Sequence, residues 1–248
     1  MAFKLSDWVK WRLKNKRNVF IVLTGEGQIG KTSMAIELCR HTFNDFNLDS
    51  IAFSSEKFLE LLKNRPDSAI LLEDAGVSWG SHNWKSRTNQ SISYATQTCG
   101  LNHQLIVLTT PSIHMLDSNA RRLIQLRIKV INRGFGIPSV VKENEWTKRL
   151  IFAPLRMELN GHSVRISSYR TERPPEEMFV EFERRKKAYL DGFYSGLIRD
   201  VKVKNIDETR IAHEALIMEG SIRKAAKRCG MSKDKVSRLN KLWEIENK

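Results

Sequence analysis

The chain has 248 residues, of which 41% are hydrophobic and 28% charged, a balance typical of folded globular proteins rather than disordered ones. Its 42 Lys and Arg residues against 28 Asp and Glu give a formal net charge of +14, which favours a polyanionic partner such as nucleic acid. No apolar run approaches the roughly 20 residues that span a bilayer, and the 3 cysteines form neither a disulfide framework nor a zinc motif. We therefore expect an intracellular, cytoplasmic protein.

The N-terminal segment, residues 1–18, is basic and predicts an amphipathic helix over 3–14. Leu5 and Trp8 fall near one apolar face of that helix, with lysines and arginines around it. We expect this face to pack on the rest of the protein or on DNA. The alternative, in which Trp8 and Trp11 dock on a membrane surface, suits the same residues less well.

Residues 19–145 alternate between short apolar runs and amphipathic segments, and this alternation predicts a mainly parallel sheet covered by helices on both faces. The predicted strands are 19–24, 51–53, 69–72, 105–108 and 126–131. The predicted helices are 31–41, 56–63, about 89–99 and about 115–125. The polar segment 76–90 is expected to be a loop.

The pattern changes in residues 146–190, which we expect to form an extension of the sheet domain. Asn160-Gly161 lies between two runs of alternating apolar and polar residues and predicts a β-hairpin. A charged helix is predicted over about 176–190. Residues 191–206 are expected to be a linker.

Residues 207–248 predict a small all-α module. Two helices, at 221–229 and 232–242, flank Gly230, and this arrangement favours a helix-turn-helix. Small side chains permit close contact between the helices at Ala225 and Ala226. The side chains expected to face inward are Ile211, Ala215, Leu216, Ile222, Val236 and Leu239.

The same module is strongly basic, with eight Lys or Arg residues and one Asp within 220–241. In a helix-turn-helix the second helix enters the major groove of duplex DNA, while neighbouring cations contact the backbone. The predicted DNA-binding residues are Arg223, Lys224, Lys227, Lys233, Lys235, Arg238 and Lys241. The alternative is a basic helical bundle that only packs on the rest of the chain.

A glycine-rich loop with the pattern GxxxxGK[ST] follows the first predicted strand. Glycines let successive backbone N–H groups surround a phosphate, Lys31 can reach the β- and γ-phosphates, and the Thr32 hydroxyl can ligate Mg²⁺. The sequence therefore predicts binding of ATP and Mg²⁺. The predicted nucleotide-binding residues are Gly25, Glu26, Gly27, Gln28, Ile29, Gly30, Lys31, Thr32 and Ser33.

Polar residues follow two other predicted strands. Glu73 and Asp74 follow the strand 69–72, and in a P-loop enzyme one such acid orders the Mg²⁺ shell while the other polarises the attacking water. Spacing alone does not say which acid has which role. Thr109 and Thr110 end a strand expected beside the first one, where Thr110 is a candidate to hydrogen-bond the γ-phosphate or the attacking water, the alternative being an ordinary strand cap.

Five basic residues without an intervening acid lie at positions 121, 122, 127, 129 and 133. Arg121 and Arg122 are the preferred candidates for an arginine finger that reaches the ATP of a neighbouring subunit. The others are candidates for contacts with DNA phosphates. The alternative for each is a solvated basic face.

Taken together, the segments 25–33, 71–76, 106–111 and 116–122 resemble ATP-binding proteins of archaea and of their viruses and plasmids, which are related to the FtsK–HerA and zonular-occludens-toxin-like P-loop ATPases. The resemblance spans about residues 15–190. It implies a RecA-like core with an additional strand between the phosphate-loop strand and the acidic strand, ring assembly, and ATP-driven work on DNA. The usual Asp-Glu order is reversed here, and the shorter carboxylate at the catalytic position argues against fast hydrolysis.

We therefore expect an α/β fold with a RecA-like P-loop NTPase core, a β-hairpin extension and a C-terminal helix-turn-helix. The expected function is that of an ATPase that binds duplex DNA and acts as a homo-oligomeric ring or filament in DNA translocation, packaging or complex assembly. One alternative is a nucleotide-switched DNA-binding regulator or replication initiator in which turnover is incidental. Another is a membrane-associated secretion ATPase.

Overall fold

The computed structural model describes residues 5–15, 17–79, 87–98, 102–144, 146–159 and 162–246. The chain divides into two compact units, Met1–Arg184 and Arg185–Lys248. Within the described residues, no helix is both long enough and apolar enough to cross a membrane.

The first unit is built on one mixed sheet with the strand order β2-β3-β4-β1-β5-β6-β7-β8, and β9 pairs with β6. The first five strands of that order pair in parallel, and the pairs from β5 onward are antiparallel. The strands are β1 (Val19–Thr24), β2 (Ile51–Ala52), β3 (Ala69–Leu72), β4 (Leu105–Thr110), β5 (Leu126–Asn132), β6 (Phe135–Glu143), β7 (Leu150–Leu159), β8 (His162–Ile166) and β9 (Tyr169–Arg170).

Helices cover both faces of the parallel part of the sheet. They are α1 (Leu5–Lys14), α2 (Lys31–Thr42), α3 (Ser55–Asn64), α4 (Ala75–Ser78), α5 (Arg87–Thr98) and α6 (Ser118–Leu123). Three further helices follow along the chain: α7 (Glu176–Glu219), α8 (Ile222–Cys229) and α9 (Lys233–Glu246).

Two hydrophobic clusters lie on the two faces of this sheet, and β1 contributes to both. Ile21 belongs to the cluster that includes Met34 of α2, whereas Val22 belongs to the cluster that includes Phe58 of α3. All six residues of β1 are buried, which explains why its sequence is a continuous apolar run rather than an alternating one. The expectation of a mainly parallel α/β sheet is confirmed.

The additional strand implied by the resemblance is present. β4 lies between β1, which precedes the phosphate loop, and β3, which precedes the two acids. The parallel register places Leu23 beside Thr109 and Leu72 beside Leu108, so the carboxyl ends of these three strands meet at one edge of the sheet.

The apolar face predicted for the N-terminal helix is buried. Leu5, Trp8 and Val9 of α1 join the same cluster as Met34, while Trp11 is exposed. Only one of the two tryptophans that the membrane alternative needs is therefore at the surface.

Several predicted boundaries were wrong. The strand predicted at 105–108 extends to Thr110, and the helix predicted at 115–125 is the shorter α6. The segment 76–90 is not one loop, because α4 begins before it and α5 begins inside it at Arg87. The residues 191–206, expected to be a linker, are helical within α7.

Strand β6 was not predicted at all. It pairs antiparallel with β5 on one side and with β7 on the other, so it joins the parallel strands to the antiparallel part of the sheet. Gly136 and Pro138 lie inside it, and both residues are depleted in strands because one lacks a side chain and the other lacks an N–H donor. The β7–β8 hairpin was predicted correctly, and Leu159 pairs with His162 across residues 160–161, which lie outside the described residues.

The second unit contains a small core formed by the end of α7 together with α8 and α9. Its buried residues are Ala212, Ala215, Ala225, Ala226, Val236 and Leu239. The expectation that Ile211 and Ile222 face inward is wrong, because their side chains are 45% and 39% exposed. Alanines take the buried positions instead and allow the three helices to approach closely.

Candidate functional site

The phosphate loop connects β1 directly to α2. Gly25 and Gly30 bound it with φ angles of +153° and +94°, values that side-chain-bearing residues rarely adopt. A Cβ on Gly25 would lie only 2.8 Å from the Val130 carbonyl oxygen, so glycine is required at that position. The Gly25 N–H donates to the Pro111 carbonyl at 3.2 Å. The loop is therefore fixed between the ends of β4 and β5.

Lys31 lies buried against its own loop. Its ammonium group donates to the Glu26 carbonyl at 2.6 Å and to the Gly25 carbonyl at 3.1 Å. An ammonium carries three donors and no acceptor, so phosphate oxygens are ligands of the kind it already binds here. These two contacts hold Lys31 at the loop.

Glu73 joins the phosphate loop to the neighbouring strands. The Thr32 hydroxyl donates to Glu73 Oε1 at 2.8 Å, and the Thr109 hydroxyl donates to Glu73 Oε2 at 2.6 Å. The carboxyl group is only 3% exposed. Both of its oxygens thus accept hydrogen bonds in a buried environment, where such bonds to a charged group are strongest.

Thr109 also orders the second acid. Its hydroxyl oxygen accepts from the Asp74 N–H at 3.0 Å while its proton is donated to Glu73. Asp74 adopts a left-handed conformation with φ +48°, and α4 begins at the next residue. The strand therefore ends at these two acids.

Thr110, the predicted partner of the γ-phosphate or the attacking water, lies next to Thr109 but does not contact Glu73 in the described hydrogen bonds. Its buried hydroxyl donates to the Ser112 carbonyl at 3.2 Å, and its oxygen lies 2.9 Å from where a Cβ on Gly76 would stand. Thr109 has the contact with Glu73 instead. The parallel register of β3 and β4 decides this, and spacing along one strand does not reveal it.

The basic cluster separates into different environments. Arg127 stacks on the Phe152 ring at 3.7 Å from its centroid, and burial lowers the pKa of its guanidinium group. In this contact the guanidinium group packs against an aromatic ring. Arg122 pairs with Glu143 at 3.0 Å, while Arg121 is half-buried on the same helix.

A hydroxyl and a carboxylate, from Thr32 and Glu73, are the residues of this site that could hold a cation. Hard oxygen ligands of this type suit Mg²⁺, which is usually bound by one or two protein oxygens together with phosphates and water. Among the described residues there is no group of three or more His, Cys, Asp and Glu side chains that could hold a metal by itself. The donor set therefore fits Mg²⁺ that arrives with a nucleotide.

The C-terminal module presents most of its predicted cations to solvent. Gly230, with φ +64°, ends α8, and its N–H bonds to carbonyls of the last turn. Two of the basic residues are engaged within the module, because Arg228 pairs with Glu219 and Lys235 pairs with Glu208, each at 2.9 Å. The exposed cations are Arg223, Lys224, Lys227, Lys233, Arg238 and Lys241.

Comparison with known proteins found partial structural likeness. No protein-family profile and no curated protein sequence matches this chain. The chain is similar to the N-terminal domain of zonular occludens toxin from Neisseria meningitidis (13% identity, TM-score 0.37), over 56% of this chain and 95% of that one. It is also similar to the genome packaging NTPase of Sulfolobus turreted icosahedral virus 2, with 11% identity and a TM-score of 0.36, over 55% of this chain and 96% of that one. A third similar structure is a DNA polymerase III gamma subunit-related protein from Thermotoga maritima, with 13% identity and a TM-score of 0.39, over 50% of this chain and 45% of that one.

Proposed function

We propose that this chain is a magnesium-dependent P-loop ATPase that binds duplex DNA through its C-terminal helices. The observation that carries the proposal is the linked set of Thr32, Glu73 and Thr109 beside a GxxxxGKT loop. The first turn of α2, the end of β3 and the end of β4 supply these three groups. A chance glycine-rich turn would not also place a buried carboxylate on the hydroxyl that follows its lysine.

In this proposal each residue of the loop has a physical task. The backbone N–H groups of residues 25–30 and the N-terminus of α2 surround the β-phosphate. Lys31 exchanges its two carbonyl partners for phosphate oxygens. Mg²⁺, when bound, neutralises charge on the β- and γ-phosphate oxygens. Thr32 and Glu73 are the residues that would hold it.

We assign the metal-shell role to Glu73 and the water-polarising role to Asp74. The assignment rests on the hydrogen bond from Thr32, because the hydroxyl that ligates Mg²⁺ and the acid that orders its shell must lie together. Asp74 is the next acid along the chain and is only half-buried. Its shorter side chain is consistent with slow turnover.

The DNA-binding part of the proposal depends on α8 and α9. Their close packing through Ala225, Ala226, Val236 and Leu239 suits a helix-turn-helix, in which α9 would enter the major groove. The six exposed cations supply the charge. Because most such contacts are to phosphates, binding should fall by about 0.9 log unit per log unit of salt for each phosphate neutralised.

We further propose that the chain works as a homo-oligomer, a ring or filament in which Arg121 or Arg122 reaches the nucleotide of the next subunit. DNA translocation, packaging and complex assembly all fit such an assembly. The alternative is a nucleotide-switched regulator or replication initiator, and the reversed Glu73-Asp74 order is the observation that favours it.

The experiment that tests this function is the ATPase rate of the full chain with and without duplex DNA, alongside Lys31→Ala. Hydrolysis that requires Lys31 and rises with DNA supports the DNA-dependent ATPase. Hydrolysis that stays flat while ATP changes only the affinity for DNA supports the regulator. Equal rates for the wild type and Lys31→Ala would show that the loop does not carry the activity.

A further inference from the structure

A basic side chain lies against the phosphate loop on the side away from Glu73. In the sheet, β4 lies on one side of β1 and β5 on the other. Glu73 and Thr109 belong to the β3 and β4 side, whereas Arg133 lies in the turn between β5 and β6. The loop thus has a carboxylate on one flank and an arginine on the other.

The stem of Arg133 packs on Gly30, the last residue before α2. A Cβ built on Gly30 would stand 3.3 Å from Arg133 Cγ and 3.5 Å from its Cα. A side chain at position 30 would therefore crowd the stem of Arg133 and touch its backbone. Absence of a side chain at this position lets the arginine lie directly beside the N-terminus of α2.

Two features hold Arg133 in this position. The pairing of β5 with β6 shifts between Val130 and Asn132, which is a bulge of one residue on β5, and bulges near sites re-aim the side chains that follow them. The turn is then closed by Gly134 at φ +75°, whose carbonyl accepts from the Thr171 N–H at 3.0 Å. The position of Arg133 is therefore set by strand pairing and by a tight turn.

The direction of a bound triphosphate follows from the position of the acid. In the proposed function Thr32 and Glu73 would hold Mg²⁺, which would neutralise charge on the terminal phosphates, so those phosphates would lie on that flank. The α-phosphate would then lie toward the opposite flank of the loop, where Arg133 is. The guanidinium group is exposed, and no carboxylate of the described part of the chain pairs with it.

We propose that Arg133 binds the α-phosphate of the nucleotide held by its own chain. This inference rests on the proposed function, in which the loop holds Mg·ATP. A guanidinium group offers paired N–H donors that match phosphate oxygens. Because the α-phosphate is unchanged by hydrolysis, the contact strengthens ATP and ADP binding equally and leaves the chemical step alone. An arginine finger from a neighbouring subunit would instead act on the chemical step and would not strengthen ATP and ADP binding equally.

The test compares Arg133→Ala and Arg133→Lys with the wild type in the full chain. Lys142→Ala is the matched control, because it removes one exposed positive charge from β6 at about 24 Å from the turn. For Arg133→Ala we expect the dissociation constants of Mg·ATP and ADP to rise together by about 10- to 100-fold. We expect kcat and the melting temperature of the nucleotide-free protein to stay unchanged, and Arg133→Lys to be intermediate.

Inorganic tripolyphosphate separates the possible contacts, because it has three phosphates and no nucleoside. Its affinity should fall in Arg133→Ala as that of ATP does. Unchanged tripolyphosphate binding would place the guanidinium on the base or ribose and overturn the proposal, as would unchanged ATP binding or a fall in kcat alone. If the wild type itself binds no nucleotide, the proposed function is wrong. That result differs from nucleotide binding that is insensitive to Arg133→Ala, which would overturn only the proposal about Arg133.

Discussion

Thr32 and Glu73, which lie 41 positions apart in the chain, are joined by a hydrogen bond of 2.8 Å between the first turn of α2 and the end of β3. The bond links the residue that follows the loop lysine to a carboxylate that also accepts from Thr109. It is the observation on which we propose the metal-shell role for Glu73 and the water-polarising role for Asp74.

Neutral substitutions of the two acids should have different effects, one on Mg²⁺-dependent ATP affinity and the other on turnover. Glu73→Gln should remove most of the gain in ATP affinity that Mg²⁺ gives, because the proposed metal-shell carboxylate is lost. Asp74→Asn should keep Mg²⁺-dependent binding but lower turnover by about 100-fold or more, since general base catalysis contributes about that much. Calorimetric titration of ATP with and without Mg²⁺, paired with phosphate release, measures both. The opposite pattern would exchange the two roles.

Thr109→Val should reduce turnover while preserving the fold. The change keeps the side-chain shape but removes the donor to Glu73 and the acceptor for the Asp74 N–H. Hydrogen bonds to charged groups are worth about 1.5–3 kcal/mol, so we expect about a 10- to 100-fold loss in kcat. Thr110→Val is the matched variant, because within the described residues the Thr110 hydroxyl donates to the Ser112 carbonyl and not to Glu73. A larger loss of turnover in Thr110→Val than in Thr109→Val would contradict the role given to Thr109.

The cations of the C-terminal module should not contribute equally to DNA binding. Arg238 is exposed on α9, whereas Lys235 on the same helix pairs with Glu208. Arg238→Ala should weaken binding to duplex DNA and lower the slope of log affinity against log salt by about 0.9. Lys235→Ala should change the slope less. Fluorescence anisotropy across a salt series gives both slopes, and equal effects would argue against a defined DNA-contacting face.

The two cysteines within the described residues should differ in reactivity. Burial raises the pKa of the Cys39 thiol, so its thiolate is scarce at neutral and mildly alkaline pH, whereas Cys229 is half-buried. In a chain with Cys99 replaced by Ser, a thiol reagent at pH 8 should label Cys229 and leave Cys39 unlabelled until the protein unfolds. Rapid labelling of Cys39 in the folded protein would contradict its placement on the buried face of α2, in the same core cluster as Ile21 of β1.

The sequence predicts the parallel core well because local signals and burial agree there. The strand 19–24 is continuously apolar, the loop after it has fixed glycine positions, and α2 is amphipathic. The antiparallel part is harder to predict because β6 contains a glycine and a proline and is only partly buried. Helix α7 continues through residues expected to be a linker, since Gly192 and Gly196 lower helix propensity without ending the helix.

The same distinction applies to the site. Glycine spacing identifies Gly25, Gly30, Lys31 and Thr32 from the chain alone, because a single loop forms that part. The contact of Thr109 with Glu73 depends on the register of the parallel strands. The approach of Arg133 to the phosphate loop depends on the bulge in β5. These relationships arise from the pairing of strands, so a linear pattern contains no direct signal for them.

Binding of Mg·ATP at the phosphate loop is tested most directly by the dissociation constant of ATP for the wild type and for Lys31→Ala, each with and without Mg²⁺. We expect the wild type to bind ATP and Mg²⁺ to tighten this binding. We expect Lys31→Ala to weaken Mg·ATP binding by at least about 100-fold, because a desolvated ion pair with phosphate is lost. Equal affinities of the two proteins, or binding by the wild type that is indifferent to Mg²⁺, would contradict this expectation.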